Sequence, residues 1–402
     1  MSILKKHSAI ALSYFLIITL LGVLLRCFSI VEIDFNYRHI VHAHSHVALL
    51  GWVYTAFMIL IYELYFKKAN IERKYLRVFW CTQITIVGML FTFPFTGYAL
   101  FSIVFSSLFI IASYFFGYLV FKFTPKELKK TNSYKCVQLA LWYMIISSVG
   151  PWALGIIMNT LGENSSWYRN AIYFYLHFQY NGWFILGLVG LLLRVFELKG
   201  LNIPQKVFKP FFLLFNIGII VTFLISILWM KLSYVINVIA GIGGLFQIIA
   251  FTILLKEIHR EKEQLFNTVS NVLVLVFKTV VILFFIKLTM QIIGVVPYVA
   301  RGVSSYIDFV IGYIHWMFLG IVSLGLLGIL HEFNLICLSK REVFIYVIAF
   351  IIIEVLIFYK GFSSWRNIDV GYYLNHYLFV GSILFLIPIG IVFFKTLKVK
   401  AP

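Results

Sequence analysis

The sequence predicts an all-α polytopic membrane protein of about twelve transmembrane helices in a pseudo-threefold bundle, with both termini in the cytoplasm. Three observations lead there: composition, the length of the apolar runs, and the placement of basic residues. Apolar residues make up 62% of the 402 and charged ones only 12%, with a mean hydropathy of +0.97. That is too little polar material to coat a water-soluble globule, so the chain is expected in lipid. Crossing a hydrocarbon core takes about 20 helical residues. Runs of that kind cover 8–31, 40–66, 77–97, 99–121, 135–160, 168–194, 210–230, 233–255, 268–297, 302–330, 342–360 and 372–395.

The connections between runs carry the orientation signal. Lys and Arg collect at the chain ends and in the even-numbered connections, as at Lys67, Lys68, Arg73, Lys74 and Arg77 after run two and Lys126, Lys129 and Lys130 after run four. In all, 24 of the 33 basic residues lie on that side and seven on the other, while Lys278 and Lys287 fall inside run nine. Cytoplasmic loops hold such an excess. The formal charge of +18 is then explained by basic loops facing an anionic leaflet, and no basic-aromatic motif points to nucleic acid. The loops are short, so 1–402 reads as a single integral membrane domain. The apolar run behind Lys5 and Lys6 is long and lacks a convincing small-residue cleavage site, so it is expected as a retained helix. Cys27, Cys81, Cys136 and Cys337 are far apart with no CxxC spacing and read as core or lipid-facing residues.

Four histidines each stand five residues before a glycine near the start of an apolar run: His46 with Gly51, His177 with Gly182, His315 with Gly320, and His376 with Gly381. Imidazole is the commonest protein ligand for haem iron and copper, and a glycine lets a flat ligand or neighbouring helix approach the backbone. Runs 2, 6, 10 and 12 all enter from the outer face, which puts these histidines some 5 to 20 Å below it at about 1.5 Å of rise per residue. Runs 2, 6 and 10 are one from each successive group of four. The chain therefore divides into quasi-repeats of approximately 1–122, 123–260 and 261–402, each presenting a histidine from its second helix. Histidines can also act as hydrogen-bonding glue between helices.

Run two has further histidines. His39, His42 and His46 share one helical face while His44 points elsewhere. His46 is the deepest and the best haem-ligand candidate; His39, His42 and His44 are candidates for an outer copper or zinc site, a haem-propionate contact, a proton entry, or simple interfacial solvation. In run nine, Lys278 and Lys287 lie on opposite faces, and Lys287 shares its face with Gln291. A lysine at that depth must be paired, hydrated or able to snorkel. Tyr175, Gln179, Tyr180 and Asn181 surround His177 as a potential hydrogen-bond network.

With these placements the chain resembles subunit I of the haem-copper oxidases, a superfamily that includes the nitric oxide reductases. The resemblance is one of topology over most of the chain, plus a few residues. It implies that a low-spin haem, b-type or similar, is held by a helix 2 histidine, His46 or else His44, and by His315 on helix 10; His177 resembles the helix 6 copper ligand in position. GYIHWMFLG looks like the family's helix 10 segment, in which two histidines two residues apart face two haems; Tyr313 stands at the position of the second. Arg366 after Trp365 resembles the propionate-binding region, with Arg38 and Arg301 at the same level. His376 has no clear counterpart and is a candidate additional metal ligand. Run seven, KPFFLLFNIGIIVTFLISILWM, contains no histidine, so a three-histidine copper site cannot be assembled in the family's manner.

The resemblance implies respiratory electron transfer in an inner or cytoplasmic membrane, with cytochrome or other oxidase subunits as partners and reduction of dioxygen or nitric oxide as candidate chemistry. Two alternatives stay open: a transporter or channel using the same histidines, and a non-catalytic oxidase paralogue in sensing or assembly. No Walker loop, dinucleotide fingerprint, HExxH zinc site or serine elbow is present.

Overall fold

In the computed structural model, which describes residues 2–371 and 373–398, the chain is helical, with no strand among the described residues. Among the described residues, twelve helices are long and apolar enough to cross a membrane. Spans 1 to 4 are Ile3–Cys27, Tyr37–Ala69, Glu72–Thr96 and Leu100–Phe123; spans 5 to 8 are Asn132–Thr160, Ser166–Leu198, Gln205–Met230 and Tyr234–Arg260; spans 9 to 12 are Asn271–Gly294, Ile307–Glu332, Lys340–Arg366 and Leu374–Lys398. The apolar runs locate all twelve. Two local differences appear. The tenth run was expected to start at 302, yet Pro297 begins a separate short helix, Pro297–Ser305, and span 10 starts only at Ile307. Span 5 is interrupted at Ser148, between helices Asn132–Ser147 and Val149–Thr160.

Two compact units make up the chain: unit 1 holds Met1–Leu128, Asn271–Val276 and Ser323–Pro402, and unit 2 holds Lys129–Ser270 and Phe277–Val322. Spans 1 to 4, 11 and 12 thus belong to unit 1 and spans 5 to 8 to unit 2, while spans 9 and 10 each pass from one to the other.

Local chemistry sets the helix ends. The Asn36 side chain accepts from the backbone N–H groups of Arg38 and His39 (3.0 and 3.3 Å), satisfying orphan donors at the head of span 2. Ser165 does the same for Trp167 at the head of span 6. Span 3 stops at Gly97, whose φ of +60° lies in the region that favours glycine, and Ser102 of span 4 donates to its carbonyl (2.6 Å). In span 11, Ser339 and Glu342 form a capping box, Glu342 accepting from the Ser339 N–H (2.7 Å) and from Lys395 of span 12 (2.6 Å). Glu342→Ala is expected to lower stability by about 1 kcal/mol through loss of the cap. Glu342→Gln should retain most of it, because Lys395 is half exposed and its ion pair is screened; thermal unfolding in detergent distinguishes the two.

Spans 2, 6 and 10 differ from the rest. The most apolar stretch of each is 89, 78 and 67% buried, whereas the other nine lie between 33 and 44%. These are the interior helices. Each is also interrupted by an eight-residue π-helical segment that begins on the residue after its histidine: Val47–Tyr54 after His46, Phe178–Ile185 after His177, and Trp316–Ser323 after His315. Gly51, Gly182 and Gly320 each occupy the fifth position of their segment. A π-helix bonds i to i+5, so its turns are wider and re-aim the side chains that follow. Span 12 behaves otherwise. It is α-helical throughout and peripheral despite its His376–Gly381 spacing, which separates His376 from the other three.

The glycines explain how the wide segments pack. In unit 1, a Cβ on Gly51 would lie 3.0 Å from Cγ of Tyr14 in span 1; in unit 2, one on Gly182 would lie 2.5 Å from Cγ of Tyr143 in span 5. The same contact, a tyrosine of the preceding span on the segment glycine, therefore recurs on spans 2 and 6. Trp52, next after Gly51, stacks on Phe15 (4.6 Å between centroids) and donates to Ser323 Oγ (2.8 Å), the last residue of the third segment. In unit 2, Phe318 of that segment meets Tyr180 edge-on at 4.7 Å, and the Trp316 indole donates to the Leu283 carbonyl (2.9 Å).

Candidate functional site

In unit 1 the candidate site is the N-terminal half of span 2. The side chains of His39, His42 and His46 share one face, directed at the turn between spans 3 and 4. His39 lies against Gly97, His42 meets Tyr98 edge-on at 4.6 Å, and the His46 ring packs at 4.3 Å on Phe93. His44 points the other way, to Ile18 and Gly22 of span 1. The α-helical spacing fixed this division, since these residues precede the π segment.

His46 has a defined protonation geometry. Its Nδ1–H donates to the His42 carbonyl at 2.9 Å, which leaves Nε2 as the basic nitrogen, accepting from the Tyr98 hydroxyl at 3.3 Å. A backbone carbonyl on Nδ1 with a free Nε2 lone pair is the arrangement that orients metal-ligating histidines. Tyr98 itself is exposed, in the turn before span 4. The donor set at His46 therefore fits an axial imidazole.

In unit 2, His177 is buried and committed differently. Its Nε2–H donates to the Ile219 carbonyl of span 7 (2.8 Å), and Nδ1 accepts from the Asn181 amide (3.4 Å). Asn181 Oδ1 in turn accepts from Lys287 Nζ of span 9 (2.7 Å), which also donates to Gln247 Oε1 of span 8 (3.5 Å); Gln247 donates to Thr222 of span 7 (2.9 Å). His177, Asn181, Thr222, Gln247 and Lys287 are all buried. The expected network around His177 thus forms through Asn181, and Lys287 enters it. Gln291 is buried on the face of Lys287, its Oε1 without a hydrogen-bond partner among the described residues. Lys278 has a different fate: it is exposed and lies over the Phe266 ring at 5.4 Å.

Both nitrogens of His177 are engaged by protein groups, and an amine sits one residue beyond them. This donor set does not fit a copper ion. Among the described residues, no group of three or more His, Cys, Asp or Glu side chains could hold a metal ion. His315 and Tyr313 lie at the end of helix Ile307–His315 in unit 2, both half-buried. Arg38 and Arg366 are exposed, on the first turn of span 2 and the last turn of span 11.

Several buried polar residues went unmarked in the sequence. Gln247 and Thr222 each interrupt an apolar run, and that interruption was the available signal. Glu354 is buried in span 11, and both it and His44 lie within electrostatic reach of Arg26 in span 1. His7 is buried against Tyr75 (3.1 Å to its hydroxyl) and stacked on Phe79 at 3.6 Å, a packing role. Fold and site together define a multi-pass helical membrane protein with histidines in the N-terminal parts of its interior helices. No protein-family model matches the chain, and no curated protein is significantly similar to it.

Proposed function

We propose that this protein is an integral membrane haem protein of the respiratory type, organised like subunit I of the haem-copper oxidases, with His46 as an axial ligand. The observation that carries the reading is the recurrence of one unit, a histidine followed at once by an eight-residue π segment, which among the described residues occurs on the three interior spans alone. π segments inside α-helices concentrate at functional sites. The geometry of His46 adds to it, because Nε2 is held as the free base by the His42 carbonyl. Bound haem would supply one-electron transfer, at a potential set by its axial ligands and their hydrogen bonds.

The chain's own residues have defined parts in this reading. His42 orients the His46 ring through its carbonyl, Phe93 shields one side of that ring, and Tyr98 caps Nε2 until a ligand displaces it. The resemblance assigns the second axial position to His315, with Tyr313 two residues earlier, and Arg38 and Arg366 to the propionates. Dioxygen or nitric oxide is the candidate acceptor, and cytochrome or other oxidase subunits are the candidate partners in an inner or cytoplasmic membrane. Lys287 supports one competing reading, that of a transporter or channel, because a buried polar chain spanning four helices is what an ion or proton path requires.

Optical spectra of the purified protein, oxidised and reduced, decide between them, together with iron analysis. A sharp reduced haem band is expected, lost in His46→Ala and retained in Tyr98→Phe. His315→Ala tests the second axial assignment. Colourless, iron-free protein from haem-replete cells would refute the haem reading and leave the transporter.

A further inference from the structure

The polar chain of unit 2 has an internal logic that does not depend on haem. An amine nitrogen with protons to donate must face the carbonyl oxygen of Asn181, so the contact at 2.7 Å fixes which way that side-chain amide points. Its Nδ2 is thereby presented to His177, at 3.4 Å from Nδ1 and 3.4 Å from the His177 carbonyl. A nitrogen that receives a donor carries no proton itself. The ring proton is therefore on Nε2, where the Ile219 carbonyl accepts it at 2.8 Å. Spans 9, 6 and 7 thus determine one tautomer in series.

The buried amine also has a charge role. Lys287 is 1% exposed, and among the described residues its hydrogen-bond acceptors are two neutral amides and no carboxylate. A protonated amine so placed, one side chain removed from His177, would repel a second cation brought to the same ring, most strongly where water is excluded.

We propose that Lys287 is the resident cation of unit 2: held by Asn181 and Gln247, it locks His177 as the Nε2–H tautomer and excludes a metal ion from the span 6 histidine. Lys287 and Asn181 are on this account positioning residues, and His177 is a link between spans 6 and 7. The consequence is a protein without the second metal that its histidine placement suggests.

Two measurements test this on the intact protein. The first is copper analysis after loading with copper and gel filtration, on wild type and His177→Gln. Equal copper content in the two is expected; one copper per chain that His177→Gln removes would overturn the proposal, whatever the iron content shows. The second is nitrogen NMR of histidine-labelled protein, with His177 assigned by its loss in His177→Gln. The wild-type signal is expected as the Nε2–H form, and the Nδ1–H form would overturn the lock. In Asn181→Asp, which replaces the donor on Nδ1 by an acceptor, a proton is expected on Nδ1; an unchanged tautomer would show that Asn181 does not set it.

Discussion

Replacing Gly182 by valine is expected to leave little folded protein, whereas Gly51→Ala should fold with a lower unfolding midpoint. A Cβ at 182 would lie 2.5 and 2.6 Å from Cγ and Cβ of Tyr143, and one at 51 would lie 3.0 and 3.2 Å from the same atoms of Tyr14. Carbon atoms in contact sit about 3.5–4.0 Å apart. Tyr143 cannot simply swing away, because its hydroxyl donates to Asn216 (3.2 Å) and its ring stacks with Phe178. Overfilling a close-packed site costs about 1–3 kcal/mol and occasionally more; valine adds two methyl groups beyond the clashing Cβ, so the upper end applies. Gel filtration and thermal unfolding read the result. Wild-type yield and midpoint for Gly182→Val would show that the helices are not pressed together there, and Tyr143→Ala should partly rescue the variant.

The second large effect is expected at Asn181. Asn181→Leu removes an acceptor from Lys287 and the donor to His177 while leaving both buried. Deleting one hydrogen-bond partner of buried polar groups costs about 1–3 kcal/mol, and more where the remaining group is charged, because it stays desolvated. Removing the amine as well, in Asn181→Leu with Lys287→Met, should recover much of that loss, since an apolar pair leaves less unsatisfied. A double-mutant cycle on unfolding midpoints measures the coupling, which for groups in one network is about 0.5–3 kcal/mol. Additive effects of the two substitutions would show that the contact contributes nothing specific.

Much of this molecule was legible in the sequence because lipid simplifies the problem. A backbone in hydrocarbon must satisfy its hydrogen bonds within the helix, so length and hydropathy locate all twelve spans, most of them within a few residues. The separate helix at Pro297–Ser305 escaped because it straddles the connection between runs nine and ten, where hydropathy carries no signal and only the proline marks a helix start. The shared face of His39, His42 and His46 followed from helical spacing, and so did the opposite faces of Lys278 and Lys287. The networks could not be read in the same way. Gln247 becomes a partner of Lys287, and Thr222 of Gln247, only when spans 7, 8 and 9 pack together.

The repeated histidine and glycine spacing shows where the boundary lies. By itself the sequence determined a multi-pass helical chain and placed three histidines on the second helix of successive groups of four, because hydropathy and spacing are properties of single segments. It set His376–Gly381 apart only by its place on the last run and could not say what physically distinguishes it. Tertiary structure decided that: π segments and deep burial occur on spans 2, 6 and 10 and not on span 12. It also gave His46 and His177 opposite tautomers from the same motif, one with Nε2 basic and the other with Nε2 donating to a carbonyl. The physical reason is that a histidine's proton goes where its neighbours accept it. Those neighbours, the His42 carbonyl for one ring and Ile219 with Asn181 for the other, are chosen by the local fold.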